Sequence, residues 1–132
     1  MVDRHDALSR VPLFSFVSKR HLRRIARGML EYEFEGGRAI VKQGDSGETL
    51  FILIDGKARV ARGGRTVARL RPGDFFGELA VLDERPRTAT VVADTPVRCA
   101  VLHRDELRKI LAEEPRAAWA LLQAMAGRLR GD

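Results

Sequence analysis

Between residues 36 and 102 the chain alternates short apolar runs with turn residues. Turn signals fall at Gly36-Gly37, Gly44-Asp45-Ser46-Gly47, Asp55-Gly56, Gly63-Gly64 and Pro72-Gly73-Asp74. The runs between and after them, 38–41, 49–54, 57–62, 66–70, 89–93 and 97–102, are too short for stable helices and rich in β-branched or aromatic residues. Regular short spacing of this kind predicts an antiparallel jelly-roll β-barrel. The period changes on either side. Upstream, Lys19, Arg20, His21, Arg23, Arg24 and Arg27 interleave with Leu22, Ile25, Ala26 and Met29, giving one basic and one apolar helical face. Downstream, Leu107, Ile110 and Leu111 fall at i, i+3, i+4, and Ala118, Leu121, Leu122, Met125 and Leu129 repeat the pattern after Pro115. Pro115 suits the first position of the second helix, where its missing N–H costs nothing. The expected fold is mainly β, a jelly-roll barrel (36–102) with an N-terminal helix in a helical segment (1–35) and two C-terminal helices (103–132), all in one unit, 1–132.

Composition narrows the class. With 132 residues and 45% apolar content the chain can bury one core, and it contains no apolar run near the ~18 residues of a membrane span. Residues 1–11 carry charges and lack the apolar stretch of a secretory signal, so a cytoplasmic address is expected. Cys99 stands alone, which excludes an intrachain disulfide and a cysteine zinc cluster. Lys and Arg number 24 against 18 Asp and Glu, and 20 of the 24 are Arg. The guanidinium fork suits phosphate, although a GC-rich genome also enriches Arg without selection for binding. The basic helix at 19–29 reads as a solvated face. His5, His21 and His103 are scattered and supply no metal cluster, and no nucleophile has a paired base. No metal, no cofactor and no enzymatic activity are expected.

The stretch that carries chemistry is 75–91, FFGELAVLDERPRTATV. Gly77-Glu78-Leu79-Ala80 interrupts the strand pattern with room for one helical turn, and Arg85-Pro86-Arg87-Thr88 returns the chain to a strand. A helix start presents unpaired N–H groups to an anion, and Gly77 lets a ligand approach the backbone. Arg87 can add a full charge and two parallel hydrogen bonds, Thr88 a hydroxyl, and Glu78 an acceptor for a ribose hydroxyl. Those groups together describe a site for one nucleotide.

On these residues the chain resembles the cyclic nucleotide-binding domain family of kinase regulatory subunits, gated channels and catabolite-activator-type regulators. Phe76-Gly77-Glu78-Leu79-Ala80-Val81-Leu82 and Pro86-Arg87-Thr88-Ala89-Thr90-Val91 match both halves of that family's phosphate-binding cassette. Gln43-Gly44-Asp45 and 50–56 resemble its early strands. The resemblance implies that Arg87 holds the cyclic phosphate with backbone N–H groups at Ala80 and Thr88, and that Glu78 takes the ribose 2'-hydroxyl. Gly77, Leu79 and Ala89 complete the cassette. It further implies that the base lies over Val60 and Ala68, and that Arg128 folds over the base as a lid from the last helix.

The expected function is a non-catalytic sensor that binds cAMP, or in the second place cGMP, and relays occupancy through its C-terminal helices. Its partner is the small cyclic nucleotide, with a homodimer or a linked effector domain in addition, and neither nucleic acid nor membrane. Two rival readings remain: a structural barrel without ligand, and the sensor half of a transcription factor. The segment 116–130 is too apolar to be a recognition helix by itself. Without the flanking cassette, Arg87 and Glu78 would read as an ordinary ion pair. Trp119, Leu121, Leu122 and Met125 read as core residues, with base-capping or dimer contact as the minority reading.

Overall fold

The computed structural model describes residues 4–131; residues 1–3 and 132, the extremes of the expected unit, lie outside the described residues. The chain begins with helix α1 (Arg4–Ser9), a 3-10 turn at Pro12–Phe14 and helix α2 (Lys19–Gly28). Ser18 starts α2, its Oγ accepting from the His21 amide at 3.1 Å and so satisfying one of the N–H groups that a helix start leaves open. Leu22 and Ala26 face inward, whereas Lys19, Arg20, Arg23, Arg24 and Arg27 are exposed.

The strands are β1 (Leu30–Phe34), β2 (Ala39–Val41), β3 (Thr49–Asp55), β4 (Ala58–Arg62), β5 (Arg65–Leu70), β6 (Phe75–Phe76), β7 (Thr90–Ala93) and β8 (Val97–His103). They form two four-stranded antiparallel sheets, β1-β8-β3-β6 and β2-β7-β4-β5. Helix α3 (Glu78–Asp83) separates β6 from β7, and α4 (Arg104–Glu113) and α5 (Pro115–Arg130) follow β8. The fold is thus mainly β, a jelly roll with flanking helices.

Three local expectations change. Leu30–Phe34, counted with the helical segment 1–35, is β1 and pairs with β8 from Leu30↔Val101 to Phe34↔Val97. Its alternation of Leu30, Tyr32 and Phe34 with Glu31 and Glu33 is the period of a strand. Two helices and a 3-10 turn stand where one N-terminal helix was expected. The third change concerns α5, whose buried residues are Ala117, Ala120 and Leu121, with Ala124 and Met125 packed beside them. Trp119, Leu122 and Leu129, expected to pack, are 64%, 58% and 89% exposed. Apolar residues occur all round this helix, so only its neighbours, the Pro12–Phe14 turn and α4, select the buried face.

β3 explains the position of the site. Leu50, Ile52 and Ile54 point into a core shared with α1, α2, α4 and α5, while Leu53, with the partly buried Phe51, points between the sheets toward Phe76, Val91 and Cys99. Both faces are covered, which is why 49–54 reads as a nearly continuous apolar run. Pairing of β6 with β3 (Phe51↔Phe76, Ile52↔Phe75) then fixes the start of α3 against the same strand.

Candidate nucleotide-binding site

The site forms where β6 turns into α3. Gly77 makes that turn with φ +88°, and a Cβ there would stand 2.5 Å from Arg87 Nη1 and 3.1 Å from the Thr49 carbonyl oxygen. Both backbone angle and space therefore require glycine.

Arg87 is 7% exposed. Its Nη1 donates to the Gly77 carbonyl at 3.0 Å and its Nη2 to the Thr49 carbonyl at 3.0 Å, and the guanidinium carbon lies 5.8 Å from the centroid of the Phe51 ring. The backbone is pinned as well, with the Arg87 amide donating to Asp45 O at 2.8 Å and the Arg87 carbonyl accepting from the Gly44 amide at 2.9 Å. Burial pulls the guanidinium below its ordinary range, and the Glu78 carboxylate opposes that shift. An arginine remains a cation there at neutral pH, so the fold keeps a largely desolvated positive charge at this point.

Glu78, the first residue of α3, is 8% exposed. Its Oε1 accepts from Arg128 Nη1 of α5 at 2.8 Å, and Arg128 also donates from Nη2 to the Phe75 carbonyl while lying 4.1 Å over the Phe75 ring. Sequence alone allowed Arg87 and Glu78 to be a structural ion pair. Instead Arg87 is held by carbonyls and Glu78 by a third residue from the end of the chain, so each keeps capacity for a further partner. Arg128 meets the site at the carboxylate.

The other expected residues are distributed around this centre. Ala80 is buried, Leu79 is 38% exposed, Thr88 is exposed with its carbonyl accepting from Arg62 Nε at 3.3 Å, and Ala89 is half-buried at the entry to β7. Val60 and Ala68 are cross-strand partners in β4 and β5, and Val60 also lies opposite Val91 of β7. Val60 is half-buried and Ala68 exposed. A groove of about 550 Å³ along β1, β8 and β3 contains no cassette residue and shares only Thr49 and Phe51 with the surroundings of Arg87. We place the candidate site at the charged pair, because the groove, lined by Tyr32, Thr49, His103 and Glu106 among apolar residues, holds neither the buried cation nor the buried carboxylate that would orient a nucleotide.

Sequence reasoning missed four contributors. Thr49 and Phe51 support the guanidinium from β3, and Gly47 leaves the space that the guanidinium fills. Their signal was present only as a turn and a strand. Arg104, the first residue of α4, donates from Nε to the Val81 carbonyl at 2.9 Å and from Nη2 to the Ala80 carbonyl at 3.3 Å. No motif marks it. Among the described residues no cluster of His, Cys, Asp and Glu could hold a metal ion, and no helix is long and apolar enough to cross a membrane.

The family model for the cyclic nucleotide-binding domain matches residues 31–114. The chain belongs to that family. Within it, the chain is 38% identical over 104 residues to a cGMP-dependent protein kinase of Toxoplasma gondii, covering 79% of this chain and 10% of the kinase. It is 32% identical over 130 residues to a CRP-like cAMP-activated global transcriptional regulator of Mycobacterium tuberculosis, covering 95% of this chain and 58% of the regulator. Among solved structures it resembles the regulatory domain of Toxoplasma gondii PKA with cAMP, with TM-score 0.78 and 26% identity over 95% of this chain and 49% of that one. This cyclic nucleotide-binding domain therefore spans only part of the length of these relatives.

Proposed function

We propose that the chain is a non-catalytic, cytoplasmic sensor for one 3',5'-cyclic purine nucleotide, cAMP in preference to cGMP. The observation that carries this reading is the buried pair of unlike charges, Arg87 and Glu78, each anchored by a partner other than the opposite member. Arg87 would take the cyclic phosphate with the amides of Ala80 and Thr88. Glu78 would take the ribose 2'-hydroxyl through the oxygen that Arg128 leaves open. Gly77, Leu79 and Ala89 frame the cassette, and the base would rest against Val60 and Ala68. The preference for cAMP follows the cAMP-activated regulator and the regulatory domain solved with cAMP among the relatives, and the cGMP-dependent kinase, at the higher identity of 38%, keeps cGMP as the second ligand.

For Arg128, expected as a lid over the base, we propose instead a positioning role, because its bond to Glu78 joins α5 to α3. Ligand bound at Glu78 then changes the environment of a residue in the last helix. Only unequal contact with two helix positions transmits a signal, and the Glu78–Arg128 bond is where that inequality would arise. The output passes to an effector linked to the chain.

Calorimetry on ligand-free protein tests the reading with cAMP, cGMP and 2'-deoxy-cAMP. One site per chain is expected, tighter for cAMP, with the deoxy analogue weaker by about 1 to 3 kcal/mol because Glu78 loses its donor. Thr88→Ala should weaken cGMP more than cAMP. Absence of heat with either natural nucleotide at millimolar concentration would leave the structural-barrel reading.

A further inference from the structure

Two arginines hold α3 in the same manner from opposite ends. Arg87 ties the start of α3 to the start of β3, through the carbonyls of Gly77 and Thr49. Arg104 ties the end of α3 to the residue just before β3. It donates to the carbonyls of Ala80 and Val81, and its Nη1 lies 3.5 Å from Glu48 Oε1 and 3.4 Å from Glu84 Oε1. The Arg104 side chain is only 14% exposed, and its amide donates to the Glu48 carbonyl at 2.9 Å. Glu48 also meets His103 Nε2 at 3.0 Å, immediately before α4. The Glu48-Thr49 dipeptide and α3 are thus bridged twice, once by the candidate phosphate ligand and once by the first residue of α4.

The end of α3 is also conformationally unusual. Glu84, its C-cap, has φ +60°, the only non-glycine residue in the left-handed region among the described residues. A glutamate has no intrinsic preference for that region, so surrounding contacts must hold it there. Arg104 supplies them at both levels, meeting the Glu84 carboxylate and donating to the Val81 carbonyl and to the Ala80 carbonyl, which also accepts from the Glu84 amide at 3.2 Å.

We propose that Arg104 is the coupling residue of this domain, the pivot through which a shift of α3 reaches α4. The inference rests on the nucleotide reading of the site and goes beyond it by naming the connection. An anion that takes the remaining donors of Arg87 draws the guanidinium away from the Gly77 and Thr49 carbonyls. The start of α3 is then held less firmly, while its end stays fixed to Arg104. Any displacement of α3 becomes a rotation about that fixed end, and the force falls on the first turn of α4. Arg104 touches neither Arg87 nor Glu78 in this arrangement, so it positions and couples without binding ligand.

The test is Arg104→Met, which keeps the apolar stem and removes every donor, beside Arg104→Lys, which keeps the charge without the fork. Hydrogen exchange with and without cAMP is followed over 104–130 in the full chain. In wild type the ligand-dependent change in exchange there should be at least about fivefold, the lower range of measured couplings. In Arg104→Met the change over 104–113 should vanish while the change over 75–91 and, through the Glu78–Arg128 bond, that over 115–130 remain, and Arg104→Lys should restore part of the α4 change. An unaltered ligand response over 104–113 in Arg104→Met overturns the proposal. A ligand-free arm separates this outcome from failure of the nucleotide reading: the Arg87 Nε–H resonance of the apo protein should shift in Arg104→Met, through the shared Glu48-Thr49 segment. A wild type that binds no nucleotide, beside an Arg104→Met variant that shows this shift, keeps the pivot and refutes the ligand. A resonance that does not move refutes the pivot whatever the ligand does.

Discussion

Gly47→Ala probes the space around Arg87, the proposed phosphate ligand, without touching a candidate ligand contact. Gly47 is not in the left-handed region, so its backbone accepts a side chain without strain. A Cβ there would stand 2.5 Å from both Cζ and Nε of Arg87, against 3.4 Å for the start of ordinary contact. The guanidinium must therefore retreat by about 1 Å, which takes hydrogen bonds of 3.0 Å to Gly77 and Thr49 beyond bonding range. A bond from a charged donor is worth about 1.5 to 3 kcal/mol. Stability loses part of that, offset by about 0.4 to 1 kcal/mol from the stiffer unfolded chain, so the domain should stay folded. Affinity for cAMP should fall about 10- to 100-fold, or roughly 1.4 to 2.7 kcal/mol, because the same displaced fork must meet the phosphate. Calorimetry with cAMP and a thermal melt on the same samples read both quantities. Gly28→Ala is the control, since nothing lies within 4 Å of a Cβ there. If Gly47→Ala binds cAMP within twofold of wild type, the buried fork is not what grips the anion.

Arg87→Ala should weaken cAMP binding by about 2 to 5 kcal/mol, roughly 30-fold to several thousandfold, with only partial recovery in Arg87→Lys; calorimetry reads this, and circular dichroism checks the fold. Arg128→Ala should weaken binding about 3- to 10-fold, mainly through faster dissociation in stopped flow, because Glu78 loses the bond that orients it. Burial pushes the Cys99 thiol up to about 12 from an ordinary value of 9.0. Between those values the unfolded chain releases a proton that the folded chain retains, so stability should fall as pH rises through that window. Denaturant melts of Cys99→Ala should show a shallower alkaline decline than wild type, and an identical slope would refute that assignment.

The chemistry of the site was legible in the sequence because its residues are local. Gly77, Glu78, Arg87 and Thr88 fall within a dozen positions, and a turn glycine, a carboxylate, a fork donor and a hydroxyl, in the order of the family's cassette, are the residue types on which the candidate site is proposed. Most strands were legible too, since turn residues bracket them and β-branched residues fill them. β1 was legible in its alternation but lay beside a basic helix that drew the boundary too far. β6, at two residues, has no period to read.

What tertiary structure decided is every relation across a long separation. Arg128 and Glu78 stand 50 residues apart, Arg87 and Thr49 38, and Arg104 and Val81 23. No periodicity encodes such pairs. Which face of α5 is buried was also undetermined, because a helix with apolar residues on all sides leaves the choice to its neighbours. The sequence fixes what a residue can donate, accept or bury; only packing fixes which partner arrives, because the partner is selected by the position of elements formed elsewhere in the chain.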